Sequence, residues 1–253
     1  MHLDRAIEIA RRVILPRYGA SLRAAPAPIW PAALAILSAH ESAGRRWTTT
    51  RTQGIPPRVF REAGLTQRTT CPAPYCGDCE IDDFDPFHPT ANLWGAQRMA
   101  ERARPAILAA VDAGGWDQPP LPSDLVAAMI LAHSIGLRAL TFAIRESGRA
   151  GGRTPASSRT TVLRALVAWI GTHEPEALGP WGTQSIARIR LRIRRAAEIV
   201  DRSHELGIGI PPTIEPCSPR PAGIPRRPRR LFERLDQLAA EAKREGDAAT
   251  GPW

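Results

Sequence analysis

The chain has 253 residues, 43% of them hydrophobic and 23% charged, and a formal net charge of +9. That length and apolar content bury a sizeable core, so one main domain with appendages is expected and a wholly unfolded polymer is excluded. No uninterrupted apolar run reaches membrane-spanning length: the best candidate, Leu125 to Ile144, is broken by His133 and Arg138 and reads as a buried helix. The positive excess attracts anionic polymers, whether of the cell wall or nucleic acid, and does not choose between them.

Leu3 to Ile14 has the spacing of an amphipathic helix, which Pro16 is expected to end. Its first residues alternate charge with apolar side chains and lack the uncharged core of a secretory signal. Pro31 suits the first turn of a second helix, because its missing amide would be unpaired there anyway. From Arg45 to Thr70 the chain is rich in Thr and Arg, with a short helix expected around Pro57 to Ala63 and strand propensity at Thr48, Thr49 and Thr50. Residues 90 to 113 return to helical spacing, closed by Gly114 and Gly115. Ser123 and Asp124 can cap the next helix, which should run from Pro122 to about Glu146 as the central core element.

A break over Gly148 to Ser158 leads to helices at Thr161 to Gly171 and Gln184 to Leu206. Within the latter, Arg188 to Arg194 alternates as a strand would, yet Ile186, Ile189, Ile193, Ala197 and Val200 mark one helical stripe, and helix is the reading adopted. Residues 208 to 230 carry repeated Pro and Gly and end in Arg226-Arg227-Pro228-Arg229-Arg230, an extended arm before a short helix from Leu231 to Lys243. The fold class is therefore mainly α, in three parts: 1–150, a C-terminal helical extension 151–207, and a Pro/Arg-rich arm with terminal helix 208–253.

Chemistry concentrates at one carboxylate. Glu41 ends the apolar helix from Pro31, and Leu34 and Leu37, seven and four residues before it, share its face. An apolar wall disfavours the ionised carboxyl, which keeps a proton ready for a leaving oxygen. Taken alone, a Glu near a helix end is more often an ordinary surface residue. Cys71, Cys76, Cys79 and His88 offer a second cluster: three thiolates and an imidazole can close a tetrahedral structural zinc site. The alternatives are a disulfide, with Cys217 available to pair with the third cysteine, or free thiols. Either bond would brace the loop between Gln67 and Asn92 and take no part in catalysis.

The order of three motifs raises the standing of Glu41. His40-Glu41-Ser42-Ala43-Gly44, then Ala63-Gly64-Leu65-Thr66-Gln67, then Asp85 to Ala96 with Asn92-Leu93-Trp94-Gly95, resembles the soluble lytic transglycosylase and goose-type lysozyme superfamily. Ala132-His133-Ser134-Ile135-Gly136 loosely fits the family's last motif, Ala-Tyr-Asn-Ala-Gly. The resemblance covers about residues 30 to 148 and departs from the family at Thr66, His133 and Ser134, where Met, Tyr and Asn are usual. It implies a lysozyme-like helical domain with a small β or irregular element. It further implies Glu41 as general acid and base, Ser42 and Gln67 as its positioning neighbours, and His133 and Ser134 as substrate contacts. Trp47, Trp94 and Trp116 are candidates for stacking on sugar rings, with Trp94 also suited to helix core, and Phe84 and Phe87 for lining the loop.

In such an enzyme one Glu protonates the glycosidic oxygen between N-acetylmuramic acid and N-acetylglucosamine. It then accepts the C6 hydroxyl proton as a 1,6-anhydro ring closes, and no cofactor is needed. A hydrolase would need a second carboxylate about 5 to 9.5 Å away, for which Asp82, Asp83 and Asp85 are candidates. The resemblance implies peptidoglycan as substrate and a phage-type route to it, the enzyme being virion-associated or released to the wall. Two other classes stay open: a structural virion or injection-machine protein with a degenerate lysozyme-like domain, docking through residues 208–253, and a basic nucleic-acid-binding protein.

Overall fold

Buried residues Leu3, Ala6, Ile7, Ala10, Val13 and Ile14 recur at three- and four-residue spacing and form the apolar stripe of the first element. In the computed structural model, which describes residues 1–25, 28–47, 49–53, 59–66, 68–70, 85–116, 119–150, 166, 170, 186–217, 221–225, 237, 240, 241, 243 and 244, the chain is mainly helical. It divides into two compact units, one of Met1–Ala27, Leu34–Arg98 and Cys217–Trp253, the other of Pro28–Ala33 and Met99–Pro216.

In the first unit, α1 (Leu3–Ile9) passes through one π turn (Ala10–Ile14) into α2 (Leu15–Ala24). Pro16 therefore does not end the helix, contrary to expectation. It stands in the first turn of α2, where an amide is least missed, and the wider π turn before it shifts the hydrogen-bond ladder past a residue with no donor. The next helix, α3 (Pro31–Ser42), starts at Pro31 as its sequence requires, and Ala32 to Ala39 are buried throughout. Left-handed backbone at Ala43 (φ 54°) and Gly44 (φ 77°) turns the chain out of α3. Gly44 is required there twice over, since a Cβ would come within 2.9 Å of Val13 Cγ1.

A three-stranded antiparallel meander follows: β1 (Thr49–Gln53), β2 (Val59–Ala63) and β3 (Arg68–Thr70), in that order. Thr49 pairs with Ala63 and Gln53 with Val59, while Ala63 also pairs with Arg68 and so closes the second hairpin. The short helix expected at Pro57 to Ala63 is thus corrected, for Val59–Ala63 is the central strand. Val59 and Phe60 have the β-branched and aromatic character that a pleated surface favours.

Helix α4 (Pro89–Gly114) begins in the first unit and ends in the second, where Gly115 (φ 69°) closes it. The second unit is built on α5 (Pro122–Ile135), whose residues Leu125 to Leu131 are all buried, with α6 (Leu137–Arg149) and α7 (Ile186–Asp201) packed against it. The single core helix expected from Pro122 to Glu146 is two helices, because Gly136 adopts φ 89° and ψ 142°, a conformation open to glycine and costly for other residues. Asp124 takes part in capping α5 as expected, from the third helical position: Leu121 is the N-cap, and Asp124 accepts its amide at 3.3 Å.

In α7, Ile189, Ile193, Ala196, Ile199 and Val200 are buried, so the helical stripe prevails over the strand-like alternation of Arg188 to Arg194. Of the expected helix from Thr161 to Gly171 only Leu166 and Ile170 are described, both helical and buried. Along the arm, residues 207–217 and 221–225 have no regular structure, yet Ile224 is buried and the Pro225 carbonyl accepts the Asp85 amide at 3.3 Å. This piece of the arm is therefore fixed to the first unit. Of the terminal helix, residues 237, 240, 241, 243 and 244 are described and helical. Among the described residues, no helix is long and apolar enough to cross a membrane.

Candidate functional site

The end of α3 assembles its polar groups on an apolar base. Leu34 and Leu37 are buried, and the Glu41 side chain, one and two turns further on, keeps 31% of its surface exposed. The carboxyl thus sits half-enclosed at the rim of the helix's apolar face. Ser38 and Ser42 run along the same helix, and each hydroxyl donates to the carbonyl one turn back, Ser38 to Leu34 and Ser42 to Ser38, both at 2.8 Å. Ser42 is buried and its hydroxyl proton is used by the helix itself, so any part it has beside Glu41 is carried by its lone pairs.

Next to the carboxylate lies an imidazole that the sequence reading left without a role. His40 Nδ1 is 3.2 Å from Glu41 Oε1, and the His40 side chain is 11% exposed. Its other ring nitrogen, Nε2, is fully enclosed and has no hydrogen-bond partner among the described residues.

The second motif is held by the third. Between β2 and β3, the turn Gly64-Leu65-Thr66 is buried, and Asn92 in the first turn of α4 fastens it. Asn92 Oδ1 accepts both the Thr66 amide at 2.8 Å and the Thr66 hydroxyl at 2.9 Å, while Asn92 Nδ2 donates to the Pro86 carbonyl at 3.0 Å. Gly64 has φ 81°, and a Cβ there would stand 2.1 Å from the Pro86 carbonyl oxygen, so only glycine fits. The three residues that link these motifs, Gly64, Thr66 and Asn92, are consecutive in space though 26 residues separate Thr66 from Asn92. The Thr66 hydroxyl thus adds a second bond to the one its amide makes.

Gln67 lies outside the described residues, as do Cys71, Cys76 and Cys79. His88, the fourth proposed zinc ligand, stands immediately before α4 and its Nδ1 accepts the Ala91 amide at 3.4 Å. Nδ1 is thereby engaged as a helix cap, and Nε2 is the nitrogen left for a metal. Burial lowers its pKa below 6.5, Asp85 raises it and Arg46 lowers it again. Asp85 itself receives the Phe87 amide on Oδ1 at 2.9 Å. Asp82, Asp83 and Phe84 lie outside the described residues, and Cys217 is half-buried.

His133 and Ser134 belong to the last turn of α5 in the second unit, apart in the chain's division from Glu41 and Ser42 in the first. Both are partly exposed; the Ser134 hydroxyl donates to Leu131 O at 3.0 Å, and its carbonyl accepts the Arg192 guanidinium of α7. Of the aromatic candidates, Trp94 is helix core, and Phe87 at 2% exposure is interior and not available to line an open loop. Trp116 is partly exposed but donates its indole N–H to Ile144 O at 3.1 Å and packs over Gly114 and Gly148, which is a bracing role between α4 and α6. Trp47 is partly exposed.

No family model matches the chain, and neither a curated protein nor a solved structure does.

Proposed function

We propose that the chain cleaves the β-1,4 bond between N-acetylmuramic acid and N-acetylglucosamine in peptidoglycan as a lytic transglycosylase, with Glu41 as its single acid and base. The observation that carries this reading is the half-enclosed Glu41 at the end of an apolar helix, in the same unit as a Gly64-Leu65-Thr66 turn that Asn92 holds rigidly. A rigid turn and a carboxyl at an apolar rim are what proton transfer to a positioned glycosidic oxygen requires. Glu41 gives its proton to the leaving oxygen, the C1–O bond breaks, the C6 oxygen closes on C1, and the C6 hydroxyl proton returns to Glu41. Water takes no part, so atoms balance without a second carboxylate. In this reading the domain is lysozyme-like, and Ser42 and Gln67 flank the acid.

Incubation of purified sacculi with the protein should release muropeptides with anhydro ends, lighter by one water than hydrolysis products, and Glu41→Gln should lower the rate by about 100-fold or more. Equal turnover by both proteins would remove the reading, and reducing-end products would convert it to a muramidase.

A second reading, nucleic-acid binding, is favoured by the solvent face of α7, where exposed Arg188 and Arg194 flank Leu191, which is 53% exposed. Arginines spaced along one helix face match a phosphate backbone. Salt-sensitive binding of a DNA or RNA duplex is its test.

A further inference from the structure

We infer that His40 is a positioning residue that donates a hydrogen bond from Nδ1 to Glu41 Oε1 and so orients the carboxyl for proton transfer; the inference rests on the glycan-cleaving reading above. Two independent observations meet at this imidazole. Its Nδ1 is within hydrogen-bond distance, 3.2 Å, of Glu41 Oε1. Its Nε2 is sealed from solvent, with no hydrogen-bond partner among the described residues.

A neutral imidazole places its proton on one nitrogen, and the surroundings choose which. A proton on Nε2 would be a buried donor with no acceptor among the described residues, and would leave Nδ1 as an acceptor facing a carboxylate oxygen. A proton on Nδ1 leaves only a bare lone pair at Nε2 and donates to Glu41 Oε1. The second arrangement satisfies the Nδ1–Oε1 contact, so the proton belongs on Nδ1.

Glu41 Oε1 accepts the Nδ1–H in both states of the acid: as the carbonyl oxygen when Glu41 is protonated, and as half of the carboxylate after the proton has left. His40 undergoes no net change and needs no contact with substrate. It restricts rotation of the carboxyl and steadies the carboxylate between the two transfers.

Two measurements test this. The first uses variants that separate the two ring nitrogens. Asn presents an amide N–H about where Nδ1 lies, whereas Gln presents one about where Nε2 lies. His40→Gln should lower kcat on sacculi by about 10- to 100-fold with KM little changed, and His40→Asn should restore it to within about threefold of wild type. The second is independent of activity and of the variants' folding. Nitrogen-15 NMR of the histidine-labelled wild-type protein should show His40 protonated at Nδ1 and unprotonated at Nε2. Equal rates for the Asn and Gln variants, or a proton on Nε2, would overturn the assignment. Absence of turnover by the wild type, by contrast, strikes the glycan-cleaving reading, and the tautomer then decides alone whether His40 donates to Glu41.

Discussion

His88 performs at the start of α4 a task usually given to Ser or Asp: its Nδ1 accepts the Ala91 amide at 3.4 Å. An imidazole can do this only while Nδ1 is unprotonated, and burial, the largest influence on it, pushes its pKa below 6.5. The unfolded chain therefore binds this proton more readily than the folded one. Stability from His88 is complete above about pH 6.5 and is lost as the pH falls from there through the lower folded pKa. His88→Asn keeps a capping acceptor but does not titrate, so its melting temperature should fall less than the wild type's between pH 7.5 and pH 5. Parallel falls would refute the capping account. Asn92 makes a second test at this scale. Asn92→Ala strands the Thr66 amide and the Pro86 carbonyl in the interior, at about 1–3 kcal/mol for each group, and urea unfolding should show a loss of about 3 kcal/mol or more.

The helices differ in how their ends are determined, and two glycines separate the causes. At Gly136 an added Cβ meets nothing within 4 Å, so Gly136→Ala should cost only the backbone strain of φ 89°, about 1–3 kcal/mol. At Gly148 a Cβ would lie 2.5 Å from Trp116 Nε1 and 2.6 Å from the Gly114 carbonyl. Gly148→Ala should therefore dislodge the indole from Ile144 O and change the near-UV circular dichroism, which Gly136→Ala should leave alone. If both variants alter the aromatic signal alike, the packing account of Gly148 fails. These cases also show what a sequence discloses. The stripe from Ile189 to Val200 is readable because burial repeats at the helical period and outweighs a local alternation. The break at Gly136 is not, since the apolar residues continue on both sides and one dihedral angle makes the difference. Pro16 misleads for a related reason, because a π turn ahead of it is a matter of backbone and not of residue type. At the site, Glu41 and the Gly64-Leu65-Thr66 turn are visible as motifs, and so is Asn92. His40 is hidden by its position, for successive helical residues do not ordinarily face each other, yet this pair meets at 3.2 Å.

Across the whole molecule the net charge of +9 serves either proposed partner, so attraction alone cannot separate wall polymer from nucleic acid. Salt can, when combined with variants. Raising ionic strength from 0.1 to 1 M shortens the screening length from about 10 to about 3 Å, and pelleting of the protein with purified sacculi should fall across that range. Glu41→Gln should follow the wild-type curve, because removing the acid group changes chemistry far more than the overall field. Replacing Arg188, Arg194 and Arg195 together by Ala tests the α7 face. For a duplex bound through that face, the slope of log affinity against log salt should become shallower by about 3, close to one per arginine removed. An unchanged slope would exclude α7 as the seat of duplex binding. Pelleting with sacculi that ignores salt would show that the wall is recognised through uncharged sugar contacts, and the basic surface would then have to act elsewhere.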